Sequence, residues 1–215
     1  MTKGTDIIGQ GQAFVEERHA IGLMLSGPLL SAAMTAQRLL AGGLGLSLLA
    51  ERSPFPHITL AAGRASEAAV SALMTVVARK TETFVCEGVG LDVLGTDTPA
   101  LVIRFSTVGP LGALYHRLNR TAGDLWDPVE PSMEPDIWIA KAALAFGDLK
   151  ADQVPQALRI LGSLNFEGPL TVDRLALLAY GPDGERLVTV EPLREPDRIK
   201  PSGGSATGQA GDPGS

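Results

Sequence analysis

The chain has 215 residues, of which 45% are hydrophobic, enough to bury the core of one large domain or of two tightly joined lobes. A formal net charge of −6 excludes broad, sequence-independent binding to duplex nucleic acid, which needs a basic face, but leaves small anionic ligands open. The apolar runs are short and no basic-then-apolar leader opens the chain, so neither a membrane span nor export is expected and a cytoplasmic location is the default. The single Cys86 forms no internal disulfide and, without companion ligands, suggests no zinc; it is expected to be a buried thiol.

In chain order, residues 1–18 are polar and Gly-rich and are expected to be a mobile N-terminal segment. Strand patterns follow at "AIGLML", "PHITLA", "TFVCEGVGLDVL", "ALVIRFS", "DIWIAKAALAF", "LTVDRLALLAY" and "RLVTVEPL". "GPDGE" before Arg186 predicts a hairpin. A helix is expected from Ser31 to Ala41, started by Ser31 and stopped by Gly42 and Gly43. Three more helices carry apolar residues at i, i+3, i+4 and i+7: Val70, Leu73, Met74 and Val77; Leu111, Leu114, Tyr115 and Leu118; Val154, Ala157, Leu158 and Leu161. Residues 196–215, rich in Pro, Gly and Ser, read as a disordered tail. The order predicts an α+β domain over 19–195, with two pseudo-symmetric lobes, each a small, mainly antiparallel sheet backed by helices, around a central cleft.

The motif with most chemistry is "PHITLA". In a strand, His57 and Thr59 share a face, so an imidazole and a hydroxyl point together out of the sheet. A duplicated architecture predicts a counterpart, and "PDIWIA", Pro135 to Ala140, repeats the Pro, Ile and Ala at the same offsets. On a strand, Asp136, Trp138 and Ala140 would share one face and Lys141 would lie on the other, toward the helices.

On these residues the sequence resembles the 2H phosphoesterase superfamily, which includes bacterial 2'-5' RNA ligases and 2',3'-cyclic nucleotide phosphodiesterases and is defined by two His-x-Thr/Ser motifs facing one another across a cleft. The resemblance implies a metal-independent site with no cofactor, in which His57 is one of an acid/base pair and Thr59 a phosphate donor. It implies a small nucleotide or RNA-end ligand. The second motif departs from the pattern. Asp136 stands where a histidine is expected and would have to be recruited as the second acid/base, while Trp138 offers a ring for stacking on a base and a single N–H donor. Arg104, opposite Leu101, Ile103 and Phe105 in "LVIRF", is the preferred positive group, with Arg64 a second candidate. His19 and His116 read as surface or structural residues, and Trp126 as a lid or a packing anchor.

Three functions follow in order: a phosphoesterase acting on a cyclic or 2'-5' phosphodiester with altered catalysis, a non-catalytic nucleotide-binding domain, and a protein-interaction module on the same fold.

Overall fold

A computed structural model describes residues 18–127 and 131–196. The N-terminal segment up to residue 17, residues 128–130 in the Trp126 loop and the tail from residue 197 lie outside the described residues, and with them most of the expected mobile ends.

Among the described residues, eight strands form two four-stranded antiparallel sheets. The first comprises β1 (Arg18–Met24), β2 (His57–Gly63), β7 (Arg174–Gly181) and β8 (Gly184–Pro192) in the order β2-β1-β7-β8. The second comprises β3 (Phe84–Leu94), β4 (Ala100–Phe105), β5 (Lys141–Ala145) and β6 (Glu167–Val172) in the order β5-β4-β3-β6. Among the described residues, five α-helices accompany them: α1 (Gly27–Leu44), α2 (Leu48–Arg52), α3 (Glu67–Ala78), α4 (Pro110–Ala122) and α5 (Val154–Leu161). The expected α+β class and two-lobed plan are met.

Sheet faces sort by alternation. Ile21 and Leu23 of β1, Ile58 and Leu60 of β2, Leu101, Ile103 and Phe105 of β4, and Ala142 and Leu144 of β5 all enter one core shared with the helices. α1 packs against β5, β6 and α5 of the second lobe, whereas α4 bridges β2 of the first sheet and β3 of the second. Both sheets therefore share one apolar core, and the opposite faces carry the candidate site.

Four local expectations change. α1 starts at Gly27 with Pro28 in its first turn, where a missing N–H costs nothing, and it runs through Gly42 and Gly43 to end at Gly45 in the left-handed region. Gly43 is accommodated because α5 lies against it: a Cβ there would sit 2.9 Å from Ile160 Cδ1. On α5, Ala157 and Leu161 are buried but Leu158 is exposed, since the contact with α1 goes through Ile160. "LTVDRLALLAY" is two strands divided at Asp173; β6 pairs with β3 and β7 with β1, which returns the chain from the second sheet to the first.

The predicted hairpin at "GPDGE" joins β7 to β8 and closes on the Gly181–Gly184 pair. Its tip lies against the end of α2. Gly184 has φ 108°, and a Cβ there would meet the Arg52 carbonyl oxygen at 2.6 Å. Left-handed strain and a backbone clash thus act together, and Gly184→Ala is expected to lower stability by about 1–3 kcal/mol in urea unfolding. An unchanged midpoint would show that the hairpin is not seated on α2.

Candidate functional site

His57 is the first residue of β2 and Thr59 the third, on the face turned away from Ile58 and Leu60. β2 is an edge strand held only by β1, with Met24 opposite His57 and Gly22 opposite Thr59. The glycine leaves room for the imidazole: a Cβ on Gly22 would lie 3.1 Å from His57 Cδ2. Register shifts at Ile21/Gly22 in the β1–β2 ladder and at Leu177/Leu178 in the β7–β8 ladder add twist. Tyr180 and Glu185, on the β7–β8 hairpin of the same sheet, both reach His57.

The imidazole is held on both nitrogens. Nδ1–H donates to the Phe55 carbonyl at 2.6 Å, which leaves Nε2 as the acceptor, and the Tyr180 hydroxyl lies 3.0 Å from it. Thr59 also hydrogen-bonds Tyr180. Burial, then the nearby Glu185 carboxylate, push the Tyr180 phenol well above its ordinary value, against the opposing effect of Thr59, so it stays a neutral donor. Glu185 Oε1 lies 3.3 Å from His57 Nδ1 without a hydrogen-bond partner of its own, while Ser53 Oγ donates to Oε2. The Glu185 side chain is fully buried and that of His57 is 10% exposed. Tyr180 and Glu185 were missed in the sequence; the one available signal was alternation along "LALLAY", which puts Tyr180 on the face of Ala176 and Leu178 rather than with Leu175 and Leu177.

The second lobe repeats the frame of the first. Leu25 N–H donates to the Pro56 carbonyl just before β2, and Phe105 N–H donates to the Ala140 carbonyl just before β5, each at 2.9 Å. Met24 is then paired with His57, and Arg104 with Lys141. The structural counterparts of His57 and Thr59 are thus Lys141 and Ala143, in place of the Asp136 and Trp138 expected from "PDIWIA". Ala142 and Leu144 occupy the core, so Lys141 and Ala143 lie on the face away from the helices, contrary to the expectation for Lys141.

Asp136 is not on a strand. The Ile137 and Trp138 amides both donate to the Glu134 carbonyl, folding Glu134-Pro135-Asp136 into a turn that leaves Asp136 exposed. Its charge acts on Tyr115 instead: burial first, then Asp136 and Glu134, push the Tyr115 phenol up to about 12, and its hydroxyl donates to the Met133 carbonyl at 2.7 Å. Trp138 stacks on Tyr115 with ring centroids 3.8 Å apart and 6° between planes. Its indole N–H donates to the Thr59 carbonyl at 3.0 Å, capping the exposed edge of β2. The ring and donor foreseen for a ligand are thus engaged within the protein.

Arg104 faces away from Leu101, Ile103 and Phe105 as expected, and pairs with Asp92 at 2.8 Å. Arg64 follows β2 at its far end, about 20 Å along the strand from His57, and is exposed. His19 is buried, with Nδ1 2.8 Å from the Ala65 carbonyl, a structural role; His116 is exposed on α4. Trp126 is buried in the core cluster. Burial pushes the Cys86 thiol up to about 11, as befits an inert core residue. Among the described residues, no three His, Cys, Asp or Glu side chains cluster as a metal site would require, and no helix is long and apolar enough to cross a membrane.

This geometry can be set beside known structures. TT0787 of Thermus thermophilus matches with a TM-score of 0.59 and 18% identity over 83% of this chain and 98% of that one. E. coli LigT complexed with 3'-AMP matches with a TM-score of 0.51 and 15% identity, over 83% and 99%. The architecture is the LigT-like fold. The two-lobed α+β fold expected from the sequence is the one observed. At the level of sequence, no family model and no curated protein matches the chain.

Burial raises the Glu185 carboxyl above its ordinary value of 4.5, against the opposing attraction of His57. A carboxyl raised on folding favours the native state at low pH, and that contribution is lost as pH rises from the ordinary value through the raised one. The difference in urea-unfolding stability between wild type and Glu185→Gln is therefore expected to move against wild type as pH increases from about 4.5 toward neutrality. A pH-independent difference would contradict the buried carboxyl.

Proposed function

We propose that this LigT-like protein binds a phosphate-bearing small nucleotide or RNA end at the His57 half-site, without the two-histidine hydrolysis of a cyclic or 2'-5' phosphodiester. The observation that carries this reading is the pairing of frames that sets Lys141 and Ala143 opposite in role to His57 and Thr59. Opening a cyclic phosphodiester requires one group to take a proton from the attacking water and a second to protonate the leaving oxygen. His57 can do one of these. A lysine ammonium has no lone pair to take a proton from water and is a much weaker acid than an imidazolium, and an alanine offers no donor to a phosphate oxygen, so only a slow route with His57 as base is left.

What the site retains suits an anion. A phosphate oxygen would accept from the Thr59 hydroxyl and, once Nε2 as well as Nδ1 carries a proton, from His57, displacing the Tyr180 hydroxyl, which donates to Nε2 in its absence. No metal, duplex DNA or membrane enters this reading. A second reading, an interaction module on the same fold, is favoured by the near-closure of His57 beneath Tyr180.

Calorimetry with 3'-AMP is expected to show binding that weakens at least tenfold in His57→Ala. With chelator present, turnover of 2',3'-cyclic nucleotides and 2'-5'-linked oligonucleotides is expected to fall about 10²–10⁴-fold below that of a two-histidine enzyme, the usual worth of one general acid or base. Turnover matching such an enzyme would contradict the reading. Absence of binding at millimolar nucleotide would leave the interaction module.

A further inference from the structure

The second half-site is a changed one, and its chemistry specifies what it would hold. Lys141 opens β5 as His57 opens β2, with its register partner Arg104 beside it on β4. Both lie on the sheet face opposite Ala142, Leu144, Ile103 and Phe105, which fill the core. The Arg104 guanidinium is 38% exposed and gives one donor to Asp92 at 2.8 Å, while its buried Nε–H has no hydrogen-bond partner. A buried guanidinium donor left unsatisfied is costly, and an incoming oxygen anion would relieve that cost.

The two half-sites are joined directly. β2 and β5 are in contact, and the Trp138 indole N–H is bonded to the Thr59 carbonyl. The contact of β2 with β5 puts Lys141 and Thr59 on neighbouring strands, and the long, flexible lysine stem lets its ammonium turn toward an anion seated between them.

We propose, building on the binding role just described, that Lys141 and Arg104 form the second half of the anion site and that they select a terminal phosphomonoester over a cyclic phosphodiester. A monoester carries close to two negative charges at neutral pH because its second ionisation lies near 6, whereas a cyclic diester carries one. Fixed cations gain more from the dianion; Asp92, which neutralises part of Arg104, repels the dianion more than the monoanion and so reduces the preference, which leaves Lys141 as its main source. Replacing a titrating imidazole by an ammonium thus turns a proton-transfer position into a charge-recognition position.

The test compares 3'-AMP and 2',3'-cyclic AMP by calorimetry at fixed ionic strength. Wild type is expected to bind 3'-AMP at least tenfold more tightly. Lys141→Ala should bring the ratio close to one, and Lys141→Arg should keep it, which separates charge from a folding defect. Equal binding of the two nucleotides by wild type, or an undiminished preference in Lys141→Ala, overturns the inference while leaving the binding role intact. If neither nucleotide binds wild type, the binding role fails and this inference fails with it.

Discussion

One repeated hydrogen-bonded frame sets the geometry on which the candidate site depends. A strand-end amide donates to the carbonyl just before an edge strand, Leu25 to Pro56 in one lobe and Phe105 to Ala140 in the other, and each fixes the register of the residue that opens that strand. Because side chains alternate with a period of two, fixing one residue fixes the face of all. His57 and Thr59 are turned out of the core by the burial of Ile58 and Leu60; Lys141 and Ala143 are turned out by the burial of Ala142 and Leu144. The two half-sites are equivalent in backbone and unlike in chemistry.

This explains how much could be read from the sequence. The α+β class, the two lobes, the buried stripes Val70-Leu73-Met74-Val77 and Leu111-Leu114-Tyr115-Leu118, and the turning of His57 and Thr59 away from the core follow from element order and periodicity, because burial imposes that periodicity. The second half-site did not follow. "PDIWIA" repeats the Pro, Ile and Ala of "PHITLA" at the same offsets, but Pro135 belongs to a turn closed on the Glu134 carbonyl, and the strand begins five residues after Asp136, at Lys141. Register is set by the ladder to β4, a long-range pairing that local similarity does not contain.

Tyr180 and Glu185 were hidden for the same reason. They lie more than 120 residues from His57 and meet it through the tertiary arrangement of the first sheet, in which β7 is paired with β1. Their effect is to enclose the imidazole: a carbonyl and a carboxylate on the Nδ1 side, a neutral phenol on Nε2. Trp138 closes the edge of β2 in the same manner, with its ring on Tyr115 and its N–H on Thr59. What was an open catalytic pair in the expected pattern is here one enclosed imidazole facing a lysine position.

The most direct measurement is a crystal structure of the protein soaked with 3'-AMP. The account predicts the phosphate between the two strand openings, with oxygens on His57 Nε2 and Thr59 on one side and on Lys141 on the other, and the Tyr180 hydroxyl displaced from Nε2. A phosphate bound away from both half-sites, or one held by Asp136 and Trp138 with Tyr180 still on His57, would contradict it.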